Sequence, residues 1–169
     1  IGAKIACPDR EIFVMVGDGN YLMMNNEIVT AIQEKVKVII ILLNNNGFGS
    51  IGGLSQSIGS DRFGTKYRYR EEKTGLLTGA KLPVNFAQNA RSLGAHVIEV
   101  TDIDSLKKAL KEAKKQTVTT VITIETDLVK GVPGYAWWEV PVAETAGIES
   151  VSKAYQAYIE SKKKQRYFL

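Results

Sequence analysis

At 169 residues the chain is one domain's worth and can bury an ordinary core. Its 44% hydrophobic and 24% charged residues are a globular balance, and no apolar run approaches the ~20 residues of a membrane span. Much of the net charge of +4 sits in Lys162–Arg166, which reads as a solvated helix end rather than a basic, aromatic-interleaved nucleic-acid surface, so neither nucleic acid nor membrane is an expected partner. Cys7 is the single cysteine. It excludes an intrachain disulfide and fits a reducing compartment; with no signal peptide visible, a cytoplasmic location is expected.

In chain order, Ile1 to Cys7 reads as the last turns of a helix already under way. Ile1 is not a start methionine, so the expectation is a fragment of a longer protein, with the fold's N-terminal elements lying before it. Glu11 to Val16 (EIFVMV) reads as a strand, and Tyr21 to Lys35 as a helix with apolar positions at Leu22, Ile28, Val29 and Ile32. Lys37 to Leu43 is a short, nearly unbroken aliphatic run, which suits a strand covered on both faces of a parallel sheet. From Asn44 to about Gly79 the chain is glycine-rich, with a short helix near Ile51 to Ser57. A connection of this length is usually functional or disordered. Asn46 to Gly79 is expected to be mobile without a bound cofactor, because ordering glycines loses much entropy for little packing.

Val84 to Leu93 reads as a helix opened by Pro83, His96 to Val100 as a strand, and Ser105 to Lys115 as a helix that Asp102 or Asp104 can cap. Thr119 to Glu125 is another strand, Gly131 to Gly134 a turn, and Glu149 to Lys164 a closing helix. Strands alternating with helices imply a three-layer α/β/α domain with a mostly parallel sheet. His96, the single histidine, starts a strand and reads as structural.

Gly17-Asp18-Gly19 follows the first strand directly. A helix of about 14 residues rises ~21 Å, and a strand of about 7 residues returns ~23 Å. The lengths cancel, so Asn44-Asn45-Asn46 returns to the sheet edge that holds Asp18. That is the carboxyl edge, where open α/β sheets bind ligands. Asp18 offers a carboxylate oxygen and Asn45 an amide oxygen, both hard donors of the kind magnesium or calcium prefers. A helix N-terminus at the same point suits a phosphate. The combination describes a metal-bridged diphosphate better than a proton-transfer pair, since the second side chain is an amide. A lone Gly-Asp-Gly is also a common strand-to-helix turn with the aspartate as cap.

The pair is more specific. Gly-Asp-Gly after one aliphatic strand and Asn-Asn after a second, with Asp18 and Asn45 27 positions apart, resembles the cofactor motif of thiamine-diphosphate enzymes. The approach Ile1–Ala6 and Pro8-Asp9-Arg10, and the later Phe86-Ala87 with Leu93-Gly94-Ala95, resemble the acetolactate synthase and pyruvate oxidase group. The resemblance covers roughly residues 1–126. It implies thiamine diphosphate and Mg²⁺ as cofactors, with Asp18, Asn45 and the Gly47 carbonyl as metal ligands. The implied cofactor-binding set is Gly17, Asp18, Gly19, Asn20, Tyr21, Asn45, Gly47, Phe48 and Gly49. Gly19 and Asn20 would offer N–H groups to the diphosphate, and Phe48 and Gly49 would lie along the cofactor.

The resemblance also implies what this chain does not carry. The family's activating glutamate lies in a separate pyrimidine-binding domain, contributed by a second subunit of a homodimer or homotetramer, and its cofactor-bending apolar wedge lies before residue 1. No residue here is therefore assigned as catalytic, and the 169-residue chain alone, a single diphosphate- and magnesium-binding domain, should be inactive. Asn46–Ser50, Arg62–Thr65 and Tyr135–Glu144 resemble the branch of the family that opens trihydroxycyclohexane-1,2-dione, a small-molecule substrate of myo-inositol catabolism. Trp137-Trp138 suits either packing or a substrate-facing role. An acetolactate synthase-like carboligase or decarboxylase, and a non-catalytic nucleotide-binding or interaction module, remain open.

Overall fold

The computed structural model describes residues 1–131 and 139–166. Its elements in chain order are α1 (Gly2–Ala6), β1 (Phe13–Gly17), α2 (Asp18–Met24), α3 (Glu27–Gln33), β2 (Ile39–Asn44), α4 (Gly49–Ser57), α5 (Phe86–Ser92), β3 (His96–Val100), α6 (Ile103–Lys115), β4 (Thr120–Glu125) and α7 (Glu149–Lys163). They form two compact units. The first comprises Ile1–Gly47 and Leu82–Asp127, the second Phe48–Lys81 and Leu128–Leu169.

The first unit holds a four-stranded sheet in the order β1-β2-β4-β3, with every pair parallel. The chain steps from β1 to β2 in one direction and from β3 back to β4 in the other. Right-handed crossovers therefore place α2 and α3 on one face and α6 on the opposite face. On the α6 face, Ile39, Ile122, Ile124 and Val100 pack with Ala109 and Ala113, flanked by Leu106 and Leu110. On the other, the Tyr21 and Phe86 rings meet edge to face, with centroids 5.8 Å apart, and tie α2 to α5. The α/β/α expectation is met, and the aliphatic run of β2 is buried as a two-faced central strand should be, with Ile39 and Leu42 fully covered.

Several local boundaries differ from the sequence reading. The helix expected over Tyr21–Lys35 begins at Asp18 and is two short helices, interrupted at Asn25 and Asn26. Asparagine side chains compete for backbone and neighbouring groups, and Asn25 Nδ2 donates to Asn89 Oδ1 at 3.1 Å. Helix α5 opens at Phe86 rather than Val84, because the Asn85 side chain caps it by accepting from the Gln88 N–H at 2.8 Å. The first two strands each lie further along the chain than read, which brings Gly17 into β1 and Asn44 into β2.

In the second unit the glycine-rich segment has specific packing. A Cβ on Gly59, whose φ is +89°, would lie 2.4 Å from the Ser150 carbonyl oxygen, and one on Gly79 would lie 2.8 Å from that of Tyr69. These two glycines are required by close backbone approach within the chain itself.

Candidate functional site

In-register pairing of Gly17 with Leu43 sets Asp18 level with Asn44, at the carboxyl ends of adjacent parallel strands. Asp18 opens α2 and is 1% exposed. Its Oδ1 accepts the Gly19 N–H at 2.8 Å, and its Oδ2 accepts the Gly47 N–H at 3.1 Å from the turn after β2. Burial holds the carboxyl above its ordinary range, against the opposing pull of backbone N–H groups from Gly47, Gly19, Asn46 and Asn45. The desolvation of the charged form outweighs four favourable dipoles. A nearby cation would restore the balance.

Asn45 follows β2 on the same edge. Its Oδ1 is buried and has no hydrogen-bond partner among the described residues, although buried amide oxygens are nearly always paired. A buried carboxylate with lone pairs to spare and an orphaned amide oxygen on one edge make a hard-oxygen donor set that fits magnesium. Gly17 fits the same picture. Its φ is −79° and a Cβ there would meet no atom within 4 Å, so nothing among the described residues demands glycine.

The other residues singled out from sequence are placed as follows. Gly19 and Asn20 lie in the first turn of α2. Tyr21 follows them, but its side chain is turned into the core, where its hydroxyl donates to Asn89 Oδ1 at 2.8 Å; only its backbone is near the edge. Phe48 and Gly49 belong to the second unit, where Phe48 is the N-cap of α4 and stacks edge to face on Tyr67. His96 starts β3 at the opposite, amino end of the sheet. Trp137-Trp138, and the turn read over Gly131–Gly134 beyond its first residue, lie outside the described residues.

Sequence reasoning missed Glu125. It ends β4 in register with Asn44, accepts from Asn44 Nδ2 through Oε1, and accepts from Asn46 Nδ2 through Oε2 at 3.2 Å. The available signal was a lone carboxylate closing the apolar run TVITIE. Beside it, an open cleft of about 370 Å³ is lined by Asn44, Asn85, Phe86, Glu99 and Glu125 among others. Its two carboxylates disfavour an anion there, which leaves the N-terminal turn of α2 as the better place for phosphate.

Residues 1–124 match the family described as thiamine pyrophosphate enzyme, C-terminal TPP binding domain. This chain belongs to that family. Among its relatives, a 3D-(3,5/4)-trihydroxycyclohexane-1,2-dione hydrolase 2 of Bacillus cereus is 42% identical over 99% of this chain and 26% of its own length. The corresponding hydrolase of Bacillus anthracis is 40% identical over the same shares. The chain thus spans about a quarter of the length of these curated relatives. Among solved structures, the thiamine diphosphate-dependent 4-hydroxybenzoylformate decarboxylase of Rhodococcus jostii RHA1 aligns with a TM-score of 0.59 at 27% identity, covering 75% of this chain and 22% of that one. Benzoylformate decarboxylase from Polynucleobacter necessarius, with a TM-score of 0.58 and 23% identity over 78% of this chain and 22% of that one, shares the fold.

Proposed function

We propose that this chain, as one domain of a longer multidomain enzyme, holds the magnesium-diphosphate end of thiamine diphosphate. The observation that carries the reading is the orphaned Asn45 Oδ1 on the edge where the buried Asp18 carboxylate is short of positive charge. Asp18, Asn45 and the Gly47 carbonyl hold Mg²⁺, the Asn20 N–H faces the diphosphate at the positive end of α2, and the Gly19 N–H, donated to Asp18 Oδ1 at 2.8 Å, steadies the carboxylate. Phe48 and Gly49, next along the chain, are assigned to the cofactor's length by the family resemblance alone. Thiamine diphosphate, when bound, supplies the carbanion chemistry that cleaves or forms carbon–carbon bonds. The part of this chain is to fix that cofactor in one position, because preorganised anchoring reduces what must be ordered during reaction.

The whole enzyme hydrolyses a carbon–carbon bond of 3D-trihydroxycyclohexane-1,2-dione, as the names of the 42% and 40% identical relatives suggest. It works as a homodimer or homotetramer in which the pyrimidine-binding domain of a second subunit completes each site. A cytoplasmic setting suits the exposed free thiol of Cys7. The second reading, a carboligase or decarboxylase of the acetolactate synthase type, draws support from the 27% identical decarboxylase fold.

Titration calorimetry of the full-length protein with thiamine diphosphate and Mg²⁺, against ADP and Mg²⁺, tests the cofactor. Tight binding of the first and none of the second is expected, and unchanged binding in Asp18→Ala would sink the site. Assay with the cyclic diketone and with pyruvate separates the two enzymatic readings. Acetolactate from pyruvate without ring opening favours the second.

A further inference from the structure

Because nothing among the described residues bonds to Asn45 Oδ1, its aim is set by the backbone on either side of it. That backbone is a tight turn. Asn46 has a φ of +59°, a left-handed conformation that non-glycine residues adopt only when their surroundings impose it. The Asn46 N–H donates to Asn44 Oδ1 at 3.1 Å, a side-chain-to-backbone bond that mimics a backbone turn. The Asn44 carbonyl is in turn held by the Thr126 N–H at 2.8 Å, just beyond β4.

We propose that Glu125 is a positioning residue for the metal site, a carboxylate clamp that holds both asparagines flanking Asn45. One of its oxygens accepts from the Asn44 amide and the other from the Asn46 amide, at 3.2 Å. Across the turn, the Gly47 N–H is fixed on Asp18 at 3.1 Å. The three residues Asn44-Asn45-Asn46 are thereby fastened between a carboxylate on β4 and the carboxylate at the end of β1. The middle one is left with its amide oxygen directed by the backbone rather than by a bond of its own.

The chemistry of the clamp requires a carboxylate. Asn44 has already committed its oxygen to the Asn46 N–H, so both asparagines present NH₂ groups to residue 125. A carboxylate accepts from both. A glutamine has one oxygen and one NH₂ group, so it would satisfy one asparagine and set donor against donor at the other. Outer groups that orient ligands typically govern metal affinity by about 10- to 100-fold, and that is the effect expected here.

The proposal rests on the reading of Asp18 and Asn45 as metal ligands, and the test separates the two. In the full-length protein with thiamine diphosphate, Mn²⁺ is titrated by electron paramagnetic resonance as a probe of the magnesium site. Glu125→Gln removes the double acceptor. Asn46→Gly removes one donor while keeping the Glu125 charge and tolerating the positive φ. Both are expected to weaken Mn²⁺ binding by about 10- to 100-fold while unfolding cooperatively in EDTA. If Glu125→Gln does not fold, Asn46→Gly carries the test alone. Loss of Mn²⁺ binding in Asp18→Asn with wild-type affinity in both clamp variants overturns the clamp. So does an effect in Glu125→Gln that is absent in Asn46→Gly, which would assign Glu125 a role through charge alone. Wild-type Mn²⁺ affinity in Asp18→Asn overturns the metal site, and the clamp with it.

Discussion

At two points on the carboxyl edge of the sheet a strand runs into a helix through an aspartate: Asp18 after β1 and Asp102 after β3. Both carboxylates sit at a helix N-terminus and both accept backbone N–H groups, so local sequence treats them alike. Their environments do not. Asp102 is exposed, caps α6 by accepting the Ser105 N–H at 2.7 Å, and donates its own N–H to Ser105 Oγ at 3.1 Å, a reciprocal capping box. Hydrogen bonding to Ser105 holds its carboxyl below the ordinary range. Asp18 is buried, bonds to a turn 29 residues away, and is held above that range by desolvation. An aspartate in a strand-to-helix turn stabilises a helix when water still reaches it. It becomes a candidate ligand when packing removes the water and supplies no cation.

The sharpest way to break this contrast is Asp18→Asn in the full-length protein. It keeps the shape and removes the charge, so metal affinity should fall by more than the ~10–100-fold typical of outer-shell losses, while the melting temperature in EDTA stays level or rises. Calorimetry and thermal unfolding of one preparation check both halves, and a large drop in metal-free melting temperature would mean that the carboxylate is structural, as Asp102 is.

A pH series in EDTA sharpens the contrast, because the two aspartates carry opposite signs. The folded pKa of Asp18 is raised from 3.8. Its contribution to stability is therefore present below pH 3.8 and lost as pH rises through the folded value. Wild type should lose ground against Asp18→Asn on going from acid to neutral pH and then level off. The folded pKa of Asp102 is lowered from 3.8, so its contribution is present above that pH and lost as pH falls through the folded value. The gap between wild type and Asp102→Ala should close in acid. Equal slopes for the two variants would remove the distinction.

At neutral pH, Asp102→Ala should lower the melting temperature by removing the cap and leave metal affinity unchanged, measured by the same two methods. Ser105→Ala is the smallest effect. It deletes one arm of the capping box, about 0.5 kcal/mol at the low end for a single hydrogen bond. The drop in melting temperature should be the smallest of the series, again with metal affinity intact.

The α/β class, the parallel pairing of β1 with β2 and the convergence of Asp18 with the asparagine turn were legible in the residues themselves. They follow from the aliphatic runs, the helical periodicity between them and the near-equal rise of helix and strand, all of which are properties of the chain read in order. The interruption at Asn25-Asn26 was less legible, because it depends partly on Asn89, which lies 64 positions away. Glu125 was legible only as a carboxylate closing an apolar run and not in its role, since its partners Asn44 and Asn46 are about 80 residues distant and come within reach only through the β2–β4 register. The sequence alone settled which donors exist and at which edge they gather. Only the tertiary structure decided which aspartate loses its water, which amide oxygen is left without a partner and which carboxylate grips the turn, because burial and hydrogen-bond satisfaction depend on segments that the linear order does not bring together.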